Sequence, residues 1–270
     1  MKTVLVEDFD LKQTLASGQI FRTMEHDDFH YILAGDHAFK AKQEGNRLLF
    51  DGVTRRSITH FFRLDEDHAS TISRINKDAH MDKAIASCRG LRIMRQDPWE
   101  CAISFLCSSA SNIPKIRANL FALSRSFGEK IDYDGMTFHT FPEQGSINDL
   151  RKIRAAKTGF RAEYIKKANA FLNEEAIARI SDLPYPLARQ VLMRLPGIGG
   201  KIADCISLFS LDHLQAFPVD TWVRKSMQEL YLHGKPNEKE IARFAQDYFG
   251  EMAGYAQQYL FQWRRMEGKG

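Results

Sequence analysis

The 270-residue chain predicts an α+β protein, with an N-terminal antiparallel β domain over 1–82 and a larger, two-part all-α domain over 83–270. Three observations carry that expectation. The first 80 or so residues alternate apolar and polar positions in short runs, FHYIL, AFKAK and RLLFD, separated by the turn compositions EHDD, AGD and EGN. From about residue 82 the apolar positions switch to helical spacing and keep it. No low-complexity linker and no 20–50-residue repeat breaks the chain, which excludes a solenoid or a string of tethered modules.

Taken in order, the alternating runs read as a β-meander, with a helix near 54–63. Asp97-Pro98-Trp99-Glu100 is a helix start: Asp as N-cap, Pro in the first turn, and Glu three residues on to close a capping box. Ile113, Ile116, Leu120, Leu123 and Phe127 mark one apolar helix face that Gly128 ends. A further start is placed at Ser146, with Ile147, Leu150 and Ile153 inward, followed by helices over 164–172 and 186–194. Pro196 cannot continue the last of these, and 197–200 turns into a helix over 201–211. Asp220 N-caps the segment TWVRKSMQELY, Asn237 caps a helix ending at Gly250, and an amphipathic helix covers 252–265.

Composition narrows the class. Hydrophobic residues at 44% and charged residues at 27% are ordinary for a soluble globular protein. There is no run of 18 apolar residues, and the N-terminal MKTVLVEDFD turns acidic before any signal-like core. A monomer in a bacterial or archaeal cytoplasm, without a membrane or a targeting extension, is expected. Cys88, Cys101, Cys107 and Cys205 are too scattered for an iron–sulfur cluster and read as free thiols. His26, His30 and His37 stand among turn residues without ligand-spaced carboxylates, so no metal site is assigned. The formal charge of +4 is uneven: RKIRAAKTGFRAEYIKK at 151–167 holds seven basic residues against Glu163. Charge alone leaves open a polyanion footprint or a solvated helix face.

The chemistry concentrates in LPGIGGKIADC, residues 195–205. Two short helices joined through Gly197-Ile198-Gly199-Gly200 form a helix–hairpin–helix. Glycines there tolerate positive φ and a close backbone, and the next helix offers free N–H groups to a phosphate. A nucleotide-binding P-loop would need Gly where Leu195 stands and Ser or Thr where Ile202 stands, so no nucleotide cofactor is expected. Lys201 sits at the positive end of a helix dipole, a poor place for an ammonium and a good one for an uncharged, nucleophilic amine. Cys205 lies one turn along the same face. Asp220, in FPVD, reads as a cap or as a carboxylate brought beside the lysine.

LPGIGGKIADCISLFSLDHLQAFPVD resembles the hairpin and Pro/Asp loop (217–220) of the lysine-bearing helix–hairpin–helix DNA glycosylases. LASGQIFR, RQDPWECAISFLCSS, TGFRAEYI and AGYAQQYLF resemble further blocks of the 8-oxoguanine DNA glycosylases, in the same order and across nearly the whole chain. The resemblance implies a bifunctional glycosylase and abasic-site lyase acting on duplex DNA without a cofactor. It implies Lys201 as nucleophile at C1′ and Asp220 as catalytic carboxylate. Gly18 would read N7–H of the flipped base, Phe261 and Cys205 would sandwich it, and Gln257 would bind its Watson–Crick edge. Phe160 would be the wedge in the duplex and Arg161 a reader of the opposite cytosine. Gly197 and Gly199 would meet the DNA backbone.

Departures matter here. Ala110-Ser111-Asn112 stands where better-known members carry three asparagines, and Lys115 replaces their second cytosine-reading arginine. Ala110 cannot bond the orphan base and a lysine lacks the planar fork, so weak opposite-base preference is expected. Trp222 stands where many relatives have a histidine near the 5′ phosphate. Three other readings fit the sequence less well. A glycosylase of the alkylpurine branch typically lacks the lysine, and the endonuclease III branch carries a cysteine cluster. A non-enzymatic DNA-binding module needs neither Lys201 nor Asp220, and a nucleotide-binding enzyme needs the P-loop that fails.

Overall fold

The computed structural model describes residues 1–268, so the last two positions of the 83–270 assignment lie outside the described residues. The chain opens with β1 (Lys2–Leu5) and α1 (Leu11–Ala16), then β2 (Thr23–His26), β3 (Phe29–Ala34), β4 (His37–Glu44) and β5 (Arg47–Asp51). The sheet order is β1-β5-β4-β3-β2 and every pair is antiparallel. β2 to β5 form the expected meander, and β1 closes its free side by pairing Lys2 with Phe50. One face buries Val4, Ile32, Phe39, Leu48 and Phe50 with Leu11 and Leu15 of α1. The other buries Tyr31, Leu33 and Ala38 against Phe138.

Phe138 comes from a feature that the all-helical reading of 83–270 passed over. β6 (Lys130–Tyr133) and β7 (Met136–His139) form a two-stranded ribbon whose ring lies 6.0 Å from Tyr31. Asp134 and Gly135 both have positive φ, 52° and 75°, as a two-residue hairpin turn requires. The ribbon covers the middle of that face, so β3 and β4 are buried on both faces there.

The helices that precede it are α2 (Arg55–Phe61), α3 (His68–Ile75), α4 (Ala79–Ser87), α5 (Pro98–Ser108) and α6 (Ile113–Phe127). Asp97 caps α5 as expected, accepting from the Glu100 amide at 2.8 Å. Glu100 does not close a capping box. Its carboxylate takes Arg22 Nη1 at 3.0 Å and the Gly35 amide at 2.7 Å, tying α5 to the sheet. Arg22 is fully buried, and breaking such a pair from one side costs about 3–5 kcal/mol.

After the ribbon come α7 (Leu150–Ala155), α8 (Arg161–Phe171), α9 (Glu174–Ser181), α10 (Tyr185–Leu192), α11 (Gly200–Ser210) and α12 (Thr221–Met227). The cap of α7 is Asp149 and not Ser146. The Asp149 carboxylate accepts from two first-turn amides, whereas the Ser146 hydroxyl donates back to Glu143 O. A π-helical turn over 228–232 leads to α13 (Glu238–Phe249), which starts with a complete Asn237/Glu240 capping box, and to α14 (Ala253–Glu267). Trp99 to Cys107 of α5 and Ile202 to Phe209 of α11 are buried without interruption. A helix apolar on all sides must be the centre of its layer, and the main core forms around these two and α14. No helix among the described residues is long and apolar enough to cross a membrane.

Candidate active site

α10 and α11 meet through the turn Leu195–Gly199. Gly197 has φ +89°, and a Cβ there would lie 2.5 Å from the Tyr164 ring of α8. Only glycine satisfies both the left-handed backbone and that contact. Behind the turn, Asp204 of α11 accepts from Arg189 Nε at 2.6 Å and Tyr185 OH at 2.8 Å, while Arg189 reaches Glu238 of α13 at 3.4 Å. The hairpin is thereby fixed from three helices. Gly199 is the N-cap of α11 and gives no side-chain cap bond, so the first-turn amides of α11 have no side-chain acceptor from it.

Lys201 follows at once and is half-buried. Its Nζ lies 3.1 Å from Ser108 Oγ at the end of α5 and 5.2 Å above the Phe105 ring. Because Ser108 donates its own proton to Phe105 O at 2.6 Å, a lone pair of Oγ faces the amine. Cys205 is buried one turn on, and burial pushes its thiol up to about 12, with the adjacent Lys201 pulling the other way. Asp220 caps α12 by accepting from the Val223 amide at 2.8 Å. Burial holds its carboxyl above the usual carboxylate range, opposed by the Val223 N–H and by the charges of Lys201 and Arg265. Two helix N-termini therefore deliver an amine and a carboxylate to one place.

The rest of the expected base pocket gathers around α14. Gly18 has φ +78°, and a Cβ there would lie 3.4 Å from both Phe261 Cε1 and Arg265 Nη1. Its turn is pinned on both sides: Gln19 bonds Ser17 Oγ and Arg92 O, each at 2.8 Å, and Gln258 donates to Ser17 O at 2.8 Å. Gln257 Nε2 donates to Pro218 O at 3.1 Å, joining α14 to the Asp220 loop, while its buried Oε1 has no partner among the described residues. Gln257, Phe261 and Arg265 succeed one another at four-residue spacing, on one face.

The remaining predicted residues are placed less uniformly. Phe160 is 59% exposed and stands edge-on to Tyr164, 6.2 Å away, so the Phe160 ring, the Tyr164 ring and Gly197 lie side by side in that order. Arg161 is only 2% exposed. It donates to Ser109 O at 2.7 Å, Ala110 O at 2.9 Å and Thr158 O at 3.2 Å, with its guanidinium 4.5 Å over Phe160. In this state it braces the turn after α5, with its donors on the chain's own carbonyls. Ala110 occupies that turn with φ 45°. Lys115 is exposed in the first turn of α6, its backbone amide bonded to Asn112. Trp222 is half-buried with its ring against Gly268, where a Cβ would lie 2.5 Å from Cη2.

Sequence reasoning missed Ser108, Phe105 and Arg265, whose contacts join segments far apart in the chain. Among the described residues no group of three or more His, Cys, Asp and Glu can hold a metal ion. Two surface grooves of about 650 and 430 Å³ are lined by residues around α9 and around Asp212–Met252 and contain none of the predicted site residues. The site stands out by chemistry and not by volume.

Comparison with known proteins bears on this arrangement. Residues 3–102 match the 8-oxoguanine DNA glycosylase N-terminal domain. The chain is 34% identical over 215 residues to a probable N-glycosylase/DNA lyase of Methanothermobacter thermautotrophicus, covering 71% of this chain and 69% of that one. It superposes on MBOgg1, solved with a low-affinity DNA ligand, with TM-score 0.93 and 33% identity over 99% and 100% of the two chains. The Clostridium acetobutylicum 8-oxoguanine glycosylase/lyase, solved with duplex DNA carrying cytosine opposite 8-oxoguanine, gives 0.92 and 28% over 99% of each. With sequence and fold agreeing over this length, the chain belongs to the 8-oxoguanine DNA glycosylase family.

Proposed function

We propose that this chain excises 8-oxoguanine from duplex DNA and then cleaves the strand at the abasic site. The observation that carries the reading is that Lys201 and Asp220, each at a helix N-terminus, stand near enough for the lysine charge to act on the buried carboxyl, with Ser108 and Phe105 against the amine. C1′ cannot be reached inside a stacked duplex, so the damaged nucleotide is flipped out first. As the C1′–N9 bond breaks, its electrons leave with the base and positive charge builds on the sugar. The Asp220 carboxylate stabilises that charge. Lys201 bonds C1′ through its nitrogen lone pair after giving up one proton, then loses a second, and opening of the sugar ring gives the imine. Loss of a C2′ proton then expels the 3′ phosphate, and water releases the lysine.

Recognition follows from the pocket. Guanine presents a bare acceptor at N7, and the oxidised base presents N–H there. A carbonyl of the Gly18 turn accepts from the second and repels the first. Phe261 and Cys205 take the two faces of the base, and Gln257 its Watson–Crick edge. The hairpin at Gly197 and Gly199, and Trp222 near the 5′ side, meet the phosphates, while Phe160 fills the gap in the stack. Arg161 reaches an opposite cytosine only by releasing its present carbonyls. Ala110 and Lys115 add no planar fork. The chain acts as a monomer, in the cytoplasm, without a metal or nucleotide cofactor.

The test is a duplex with a single 8-oxoguanine, incubated without alkali. The reading predicts a strand break at the lesion ending in an unsaturated aldehyde, with undamaged duplex intact. No break, or one that appears only after alkali, contradicts the lyase half.

A further inference from the structure

One turn past Phe261 lies a guanidinium that the mechanism leaves unused. Arg265 is 9% exposed. Its Nη2 donates to Ala16 O and, at 2.8 Å, to Gln262 Oε1. Nε and Nη1 are buried without a partner among the described residues. A buried cation with unpaired donors weakens a fold, and an apolar side chain of similar volume would serve stability better. Its position answers a different need. The guanidinium lies 5.3 Å over the Phe261 ring. Nη1 lies 3.4 Å from the point where a Cβ on Gly18 would stand, and Ile113 Cδ1 lies 3.6 Å from that point. Arg265 therefore touches both the turn that carries Gly18 and the Phe261 ring beside it.

We propose that Arg265 is a positioning residue for base recognition, clamping the Ala16–Gly18 turn against the Phe261 ring so that the Gly18 carbonyl is fixed at the edge of the base slot before a base enters. The inference rests on the pocket reading given above. An arginine suits the task because one planar group lies flat on an aromatic face and donates sideways to two acceptors. A lysine at the same place cannot do both. Burial pulls its pKa below the usual arginine value, and Cys88 and Asp220 oppose that shift through space.

Two reactions separate this role from a general structural one. Excision of 8-oxoguanine uses the slot and the nucleophile, whereas nicking of a preformed abasic site presents the sugar to Lys201 with no base to seat. Wild type, Arg265→Met and Arg265→Lys are compared in single turnover on both duplexes. Misplacing a bound group by about 1 Å costs on the order of 100-fold, so Arg265→Met should lose roughly 10- to 100-fold in excision while nicking stays within about threefold. Arg265→Lys should fall nearer to the Met variant than to wild type. Equal losses in both reactions, or unchanged excision in either folded variant, overturn the proposal. If Arg265→Met does not fold, Arg265→Lys decides alone, by the same ratio. Wild-type activity on 8-oxoguanine bears on the pocket reading itself. The ratio of variant to wild type bears on Arg265.

Discussion

Replacing Asp220 separates the cap that it provides to α12 from the role proposed for its carboxylate at the reacting sugar. The cap is the Val223 amide bond of 2.8 Å. Asparagine caps as well as aspartate, so Asp220→Asn should melt within about 2 °C of wild type, while Asp220→Ala leaves the amide unsatisfied and loses about 1 kcal/mol. At this chain length that loss is roughly 2–4 °C. The chemical role is larger. For a unit charge about 4 Å away at an effective dielectric of about 20, Coulomb's law gives about 4 kcal/mol. At about 1.4 kcal/mol per decade this is about three decades of rate, less for a partly developed charge. Both variants should therefore excise 8-oxoguanine roughly 100- to 1,000-fold more slowly, and only the alanine variant should melt early. The assay is single-turnover excision at saturating enzyme, paired with a thermal melt. An Asp220→Asn protein that excises within about threefold of wild type would refute the assignment, leaving Asp220 as a helix cap.

Three further outcomes follow. Excision should fail on the acid side at a pH above the usual carboxylate range, because burial raises Asp220 and its protonated form cannot stabilise a cation. The rate rises with pH through that raised value, and a rate flat down to about pH 4 contradicts it. Gly197→Ala meets both φ +89° and the Tyr164 ring at 2.5 Å, so it should cost about 1–3 kcal/mol in a thermal melt and loosen DNA binding. A melt unchanged within 1 °C would show the hairpin to be less constrained than its geometry demands. Excision rates opposite the four bases should agree within about threefold, since Ala110 and Lys115 offer no bidentate contact, and a cytosine preference above roughly tenfold would end that expectation.

The sequence shows most clearly what is set locally. Asp97, Asn237 and the alternation of β3 to β5 act over a few residues, and the structure places α5, α13 and the meander where those signals lie. The ribbon at β6 and β7 had its own local signal, Asp134-Gly135 between short apolar runs, obscured by the helical pattern on either side. Glu100 and Ser146 each satisfied a capping pattern, but tertiary partners decided them. Glu100 went to Arg22, and Ser146 lost its place to Asp149. The site divides the same way. Lys201 and Asp220 were readable because each stands at a helix start after a distinctive turn. The Ser108 contact with Lys201 spans 93 residues and the Arg265 contact with Ala16 spans 249, and such pairings leave no periodic trace. Arg161 was read as a free donor, whereas its burial among the carbonyls of Ser109, Ala110 and Thr158 depends on how α5 ends, which its own neighbours in sequence do not determine.

The covalent step itself is open to direct observation. Mixing the protein with an 8-oxoguanine duplex and sodium borohydride reduces any imine to a stable amine, so wild type should give a cross-linked protein–DNA band whose mass locates the bond at Lys201. Lys201→Gln should give none. A band of equal yield in that variant, or its absence from wild type under conditions where the base is released, would contradict a lysine nucleophile.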